Sequence, residues 1–289
     1  MNGRRLICIL TTVLLAGGAL AACGDDDDAT TDTSGASGDG CASGNTVSDG
    51  VLTIATDSPA FPPWFVDDDP TNGEGFESAV AYAVAGELGF GAEQVEWTIV
   101  PFNNAFAPGE KDFDFDINQV SISEEREQAI DFSDGYYDVN QAIVGFADSA
   151  AAGATSVADL QDLRLGAQVG TTSLDFITDV IEPSTEPFVY NDNSAAKAAL
   201  DAGQVDGIVL DLPTAFFVSA VEIEGTAVIG QFPSTGDSPE QFGLVFEEGN
   251  PLRDCVNEAL TALRDSGELE AIEQEWLSDV VDAPVIDIG

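Results

Sequence analysis

The sequence predicts an α/β fold in two lobes joined by a hinge, and three observations carry that expectation. From residue 51 onward, short apolar runs alternate with longer helical patterns, the signature of a sheet with crossover helices. The alternation comes in two sets, the second beginning near residue 165. Two extended segments, 138–146 and 240–246, bracket that second set, so the chain is expected to leave lobe one by the first and return by the second, and paired crossings make a two-strand hinge. On this reading lobe one comprises residues 49–140 and 240–281, and lobe two residues 141–239.

Each element has its own signal. Residues 51–56, Val-Leu-Thr-Ile-Ala-Thr, read as the first strand. Phe76, Ala79, Val80, Ala83, Val84 and Leu88 fall at helical spacing on one face, and Gly89 supplies the stop. Residues 95–100 form the next strand. In the strand at 113–118, Asp112, Asp114 and Asp116 alternate with Phe113, Phe115 and Ile117, which makes one face acidic and the other apolar. The second set runs strand 165–167, helix 172–181, strand 188–190, helix 193–202, strand 207–210 and helix 213–221. Helices at 251–266 and 267–277 complete lobe one.

The start of the chain reads as a targeting segment. Arg4 and Arg5 precede an apolar run too short for a comfortable membrane span. The run ends in Leu20-Ala21-Ala22-Cys23, which resembles the lipobox of bacterial lipoproteins, where cleavage before the cysteine leaves its thiol to carry lipid. Residues 1–22 are therefore expected to be a signal peptide, with Cys23 lipidated and the protein extracytoplasmic, anchored to the outer face of the cell membrane. Residues 23–48, rich in Asp, Thr, Ser and Gly, lack the apolar residues that would offset the entropy of ordering them, and are expected to form a tether.

Composition excludes several classes of function. Acidic residues number 53 against 8 basic ones, a net charge of −45, and loss of Arg4 and Arg5 with the signal makes the mature chain more acidic still. A nucleic-acid partner is excluded on that ground. There is no histidine, so Ser/His and Cys/His nucleophile pairs are impossible and zinc loses its usual ligands. The Asp112-x-Asp114-x-Asp116 spacing fails as a calcium loop, since its sixth position is Ile117 and its twelfth Ser123. No metal and no cofactor are expected. Of four cysteines, Cys8 leaves with the signal and Cys23 takes lipid, so Cys41 and Cys255 are expected to pair as a disulfide. The alternative is that Cys255 is a buried small hydrophobe, since it shares a helical stripe with Leu252, Val256, Ala259, Leu260 and Leu263.

Four places draw attention as candidate binding residues, each with a plainer reading beside it. Gly170-Thr171-Thr172 follows a strand and opens a helix, so its N–H groups and hydroxyls suit an anion, although an ordinary threonine cap explains it equally well. Arg126 follows Ser121-Ile122-Ser123 and suits a carboxylate held by two parallel hydrogen bonds. It sits among Glu124, Glu125 and Glu127, and spacing alone favours a surface salt bridge. Asp211 ends a strand, at the edge where α/β sheets place ligands, and suits an ammonium group or a helix N-cap. Asp57, Phe61 and Trp64 lie beyond the first strand among prolines that would present aromatic faces to a ligand, or they form a packed loop capping the sheet.

These pieces occur in one order, and with the motifs TDSPAFPPW, GFESAVAYAVAGELGF, FDFDINQVSISEER, IDFSDGYY, QVGTT, GQVDGIVLDLPTA and GELEAIEQEWL the chain resembles the extracellular solute-binding proteins of family 3, amino-acid receptors of ABC importers. The resemblance implies a type II periplasmic-binding-protein fold whose lobes close on a ligand, and a closed form that docks on an ABC permease served by its ATPase. It implies that Arg126 clamps a ligand α-carboxylate with help from Thr172. Asp211 would receive the α-ammonium, assisted by Ser121 and the main-chain carbonyl of Gln119. Phe61 would stack on the ligand side chain, with Asp57 at the side-chain end of the pocket. Ala79 replaces the second acid of the usual Gly-Phe-Asp-x-Asp signature, and Asn118 and Gln119 stand where small residues are common, so a narrower floor is expected. The expectation is a monomeric, non-catalytic receptor for a polar or basic amino acid. Its rival is an enzyme on the same fold, such as a cyclohexadienyl or arogenate-type dehydratase.

Overall fold

The computed structural model describes residues 40–236, 238–277 and 283–289. The expected signal peptide, Cys23 and the tether up to residue 39 lie outside the described residues.

Lobe one begins with β1 (Leu52–Thr56) and α1 (Phe76–Glu87). The entry to α1 requires Gly75, whose φ is 98° and where an added Cβ would lie 2.5 Å from the carbonyl oxygen of Trp64. Next come β2 (Val95–Ile99), the single turn α2 (Phe102–Ala105), β3 (Phe115–Asp116), β4 (Asp131–Phe132) and β5 (Tyr137–Val139). The expected strand at 113–118 makes a ladder over two residues only, and its acidic face is covered: Asp114 and Asp116 are as buried as Phe115 and Ile117. The reason is position, since β3 is the central strand of the sheet, and Asp114 accepts hydrogen bonds from the main chain of Val47 and Thr53.

Lobe two holds β6 (Gln141–Phe146), β7 (Leu165–Gln168), α3 (Thr172–Phe176), β8 (Phe188–Tyr190), α4 (Asn193–Asp201), β9 (Gly207–Asp211), α5 (Leu212–Phe217) and β10 (Thr226–Gln231). Helices α3 and α5 each run on into a wider π turn, Ile177–Ile181 and Val218–Glu222. Strand β10 had no counterpart in the sequence reading. It pairs antiparallel with β6 through an irregular register between Val228 and Gly230, so its side chains lack the clean alternation that announces a strand. The chain then returns through β11 (Glu240–Phe242) and β12 (Val245–Phe246) to α6 (Leu252–Ser266) and α7 (Glu268–Leu277).

Two five-stranded sheets result, ordered β2-β1-β3-β12-β4 and β10-β6-β9-β7-β8. Between them β5 and β11 form an antiparallel pair with Gln241 opposite Asp138, the two-strand hinge. The type II fold of two α/β lobes is thus present. A further passage supplements the hinge: Leu277 packs in the core of lobe one, whereas Ala283 and Ile286 pack in that of lobe two. Val285 and Asp287 bridge to Gln231 and Ser156, so the last residues close lobe two.

At the other end, packing begins earlier than residue 49. Ala42 is buried in the core of lobe one, and Cys41 is bonded to Cys255 on α6 with a Cα–Cα distance of 5.6 Å. Cys255 is also buried, so both readings of that residue hold together.

Candidate functional site

The carboxyl ends of β1, β3, β7 and β9 converge on a cleft between the lobes, enclosing about 560 Å³ that opens to solvent. Asp57, Phe61, Gln119, Ser121 and Arg126 line it from lobe one, and Thr172 and Asp211 from lobe two. Of the expected binding residues only Trp64 is absent from its wall. Its ring is fully buried, in edge contact with Phe76, Tyr137 and Phe242. For Trp64 the packed-loop alternative is the one that holds, and the residue is not a cleft contact. The indole is driven into the core, because it is the largest apolar side chain in the loop. Its Nε1–H still reaches across the lobes, donating to Thr214 Oγ1 at 2.8 Å, and Thr214 donates to Asp211 Oδ2 at 3.1 Å. Trp64 therefore acts on the cleft through Asp211.

Arg126 is 9% exposed, and none of the ion pairs among the described residues involves it, which disposes of the surface salt bridge. Its Nη1 donates to the main-chain oxygen of Ser121 at 2.6 Å and its Nη2 to that of Gly170 at 2.9 Å, so one guanidinium joins both lobes. The cation lies over Phe106 at 4.5 Å and Phe102 at 5.7 Å from the ring centres, aromatics spaced four apart that the sequence reading missed. Burial pulls its pKa down, while the charges of Asp175, Glu240 and Glu125 oppose that shift. Gly170 is favoured here by its left-handed φ of 76°, and an added Cβ would also meet the Asn103 side chain.

The cap of α3 is Thr171, whose hydroxyl accepts from the Leu174 N–H. Thr172 is left for the cleft, and its Oγ1 donates to Glu240 Oε1 at 2.7 Å. Asp211 precedes α5 but makes no side-chain cap bond, so the capping alternative is not realised. Burial, and then the charge of Glu240, push its pKa up to about 7 against the opposing hydrogen bond from Thr214. A cation entering the cleft would reverse that shift.

Two acidic residues were not foreseen. Glu240, at the start of β11, accepts from Thr172 and from Ser121. Glu77, on α1, is fully buried and accepts hydrogen bonds from Tyr136 and from the main chain and side chain of Gln119. These hold Gln119 at φ 49°, a left-handed conformation uncommon for its type. Burial pushes the Glu77 pKa up to about 7, with the donors from Tyr136 and Gln119 opposing. An acid on the apolar stripe beside Phe76 was the available signal. At the side-chain end, Asp57 accepts from the N–H of Ser58 at 2.7 Å and of Phe102 at 3.2 Å, and Phe61 is faced by Lys197 Nζ at 4.0 Å. Asn118 lines the cleft with a buried Nδ2 that has no hydrogen-bond partner among the described residues.

Comparison with known proteins gives a consistent result. Residues 52–279 match the pattern of the bacterial extracellular solute-binding proteins, family 3. The arginine-binding extracellular protein ArtP of Bacillus subtilis (strain 168) is 27% identical over 216 residues, 71% of this chain and 78% of that protein. The L-cystine-binding protein TcyJ of Escherichia coli (strain K12) is 27% identical over 232 residues, 78% of this chain and 82% of that protein. Among solved structures, an ancestral arginine-binding protein bound to arginine superimposes with a TM-score of 0.67 at 29% identity, covering 79% of this chain and 98% of its own.

Proposed function

The chain belongs to the bacterial extracellular solute-binding proteins, family 3, and from that membership we propose that it is the extracytoplasmic substrate-binding component of an ABC importer for an amino acid. One observation carries the reading: Arg126 from lobe one and Asp211 from lobe two line the same cleft. A zwitterion bridges them, its carboxylate on the guanidinium and its ammonium on the carboxylate, and so favours the closed arrangement of the lobes. Ser121, Thr172 and the Gln119 carbonyl complete the main-chain end, while Phe61 and Asp57 meet the ligand side chain. The protein binds its ligand and does not turn it over.

A basic amino acid suits the cleft best. Asp57, Asp211 and the adjacent Glu240 outnumber the cations Arg126 and Lys197, the second of them already paired with Glu222, so a ligand of net positive charge leaves the smallest residual charge. The free Nδ2 of Asn118 suits an acceptor on a polar side chain. We further propose the signal peptide at 1–22, the lipid on Cys23 and a monomer that presents its closed form to the permease.

A thermal-shift screen of the common amino acids tests the reading, since a ligand far above its Kd raises stability by several kcal/mol. Arg126→Ala is expected to weaken the best ligand by about 2 to 5 kcal/mol in calorimetry. Unchanged affinity removes Arg126 from the site. Binding is expected to weaken as pH falls through about 7, because Asp211 must be ionised to receive an ammonium.

A further inference from the structure

Glu240 stands at the start of the hinge strand β11, and its side chain gathers donors from both lobes. Its Oε1 accepts from Ser121 Oγ of lobe one at 2.6 Å and from Thr172 Oγ1 of lobe two at 2.7 Å. Gln141 Nε2 donates to both of its oxygens at 3.2 Å, and Ser173 Oγ fixes Gln141 by donating to its Oε1 at 2.6 Å. Glu240 itself lies behind the cleft wall, on the hinge side with Asn140 and Phe232.

A hydroxyl has one hydrogen to donate. Those of Ser121 and Thr172 are given to Glu240, although both residues line the cleft where a ligand carboxylate would seek them. Arg126 remains, with two of its N–H groups already given to main-chain oxygens. The negative charge of Glu240 is also felt by Arg126 and by Asp211. A ligand carboxylate thus meets fewer donors and more repulsion than the residue types alone imply, while a ligand cation meets an additional attraction.

We propose that Glu240 is a specificity-determining residue that acts through Ser121 and Thr172. By taking their hydrogens it weakens the carboxylate-binding end of the cleft, so that ligands are discriminated by their ammonium and side-chain charge more than by their α-carboxylate. The inference rests on the amino-acid reading above and deepens it.

The test is calorimetry on the full chain with two acid and amide pairs, L-arginine with L-argininamide and L-glutamine with L-glutaminamide. In the native protein each amide is expected to bind within about tenfold of its acid. Glu240→Ala frees both hydroxyls and removes the charge. The preference for acid over amide is then expected to widen by about tenfold or more, mostly through tighter binding of the acid. Glu240→Gln drops the charge but keeps an acceptor, and is expected to fall between. A role confined to holding the hinge would weaken acid and amide alike, so an acid-to-amide ratio equal to the native one overturns the proposal. Should Glu240→Ala lose its cooperative melting transition, the ratio in Glu240→Gln decides in the same way. If the arginine pair fails to bind while the glutamine pair binds, the preference for a basic ligand falls and Glu240 is judged on glutamine. If no variant binds either pair, the best ligand of the thermal-shift screen and its amide take their place; a screen with no amino-acid ligand overturns the amino-acid reading, whereas a ligand whose acid-to-amide ratio is unchanged in Glu240→Ala overturns this inference alone.

Discussion

In lobe one the rings of Trp64, Phe76, Tyr137 and Phe242 meet in edge contacts inside the larger of two clusters, the smaller being Phe102, Val120, Ile130, Phe132 and Val245, and fully buried Glu77, Asp114 and Asp116 lie within the same lobe. In lobe two the core is divided into two largely aliphatic clusters, and its buried polar side chains among the described residues are amides and hydroxyls: Gln141, Gln168, Ser173 and Thr214. The contrast shows how labour is divided around a shared cleft. Lobe one buries titratable acids within a large aromatic core closed by a disulfide, and holds the groups that fix the main chain of Gln119. Lobe two brings Asp211 to the cleft wall and Lys197 against the Phe61 ring of lobe one.

The disulfide closes a loop spanning 214 positions and belongs to lobe one. Replacing Cys41 and Cys255 by alanine is expected to cost up to about 5 kcal/mol in urea unfolding on the chain-entropy account. A loss confined to an early transition, with a second transition unmoved, would sharpen the distinction between lobes. A single transition shifted as a whole would show that they unfold together.

Next is pH. The folded pKa of Glu77 is raised to about 7 from an ordinary value of 4.5, so the folded state binds this proton more tightly than the unfolded chain does. Stability from this group is therefore fully present below about 4.5 and is lost as pH rises through about 7, a change of about 3 kcal/mol. Melting temperatures of Glu77→Gln between pH 5 and 8 are expected to show a flatter slope than the native protein. An unchanged slope would assign the sensitivity to other carboxyls, Asp211 of lobe two among them.

The smallest effect concerns contact across the cleft. Lys197 of lobe two faces the ring of Phe61 and pairs with Glu222 at 2.9 Å. Lys197→Met is expected to weaken ligand binding by about twofold to fivefold without lowering the melting temperature of the free protein. A larger loss would place Lys197 among the ligand's own contacts.

Much of the fold was legible because the two lobes use ordinary signals: apolar stripes on α1 and α6, β-branched runs in β1 and β9, and glycine stops. Arg126 and Asp211 were legible because a lone cation and a strand-end acid are conspicuous in so acidic a chain, and the motif order gave them partners. Glu240 was not, because what defines it is a set of donors at residues 121, 141 and 172, far away in sequence. Trp64 misled for the opposite reason: its neighbours in sequence suggested an exposed loop, whereas burial of the indole is decided by α1 and the hinge. The last residues and β10 were passed over because each depends on the other, Gln231 pairing with Val285 in a short bridge with no period of its own.

The third passage between the lobes sets a mechanical limit. Leu277 is seated in one core and Ala283 in the other. Six residue steps, fully extended, reach roughly 20 Å. While both ends stay seated, that chain length is a ceiling on how far these two anchor points can separate, whatever the bending of β5 and β11. Any parting of the lobes near the C-terminus is thus bounded by contour length, independently of how stiff the hinge strands are.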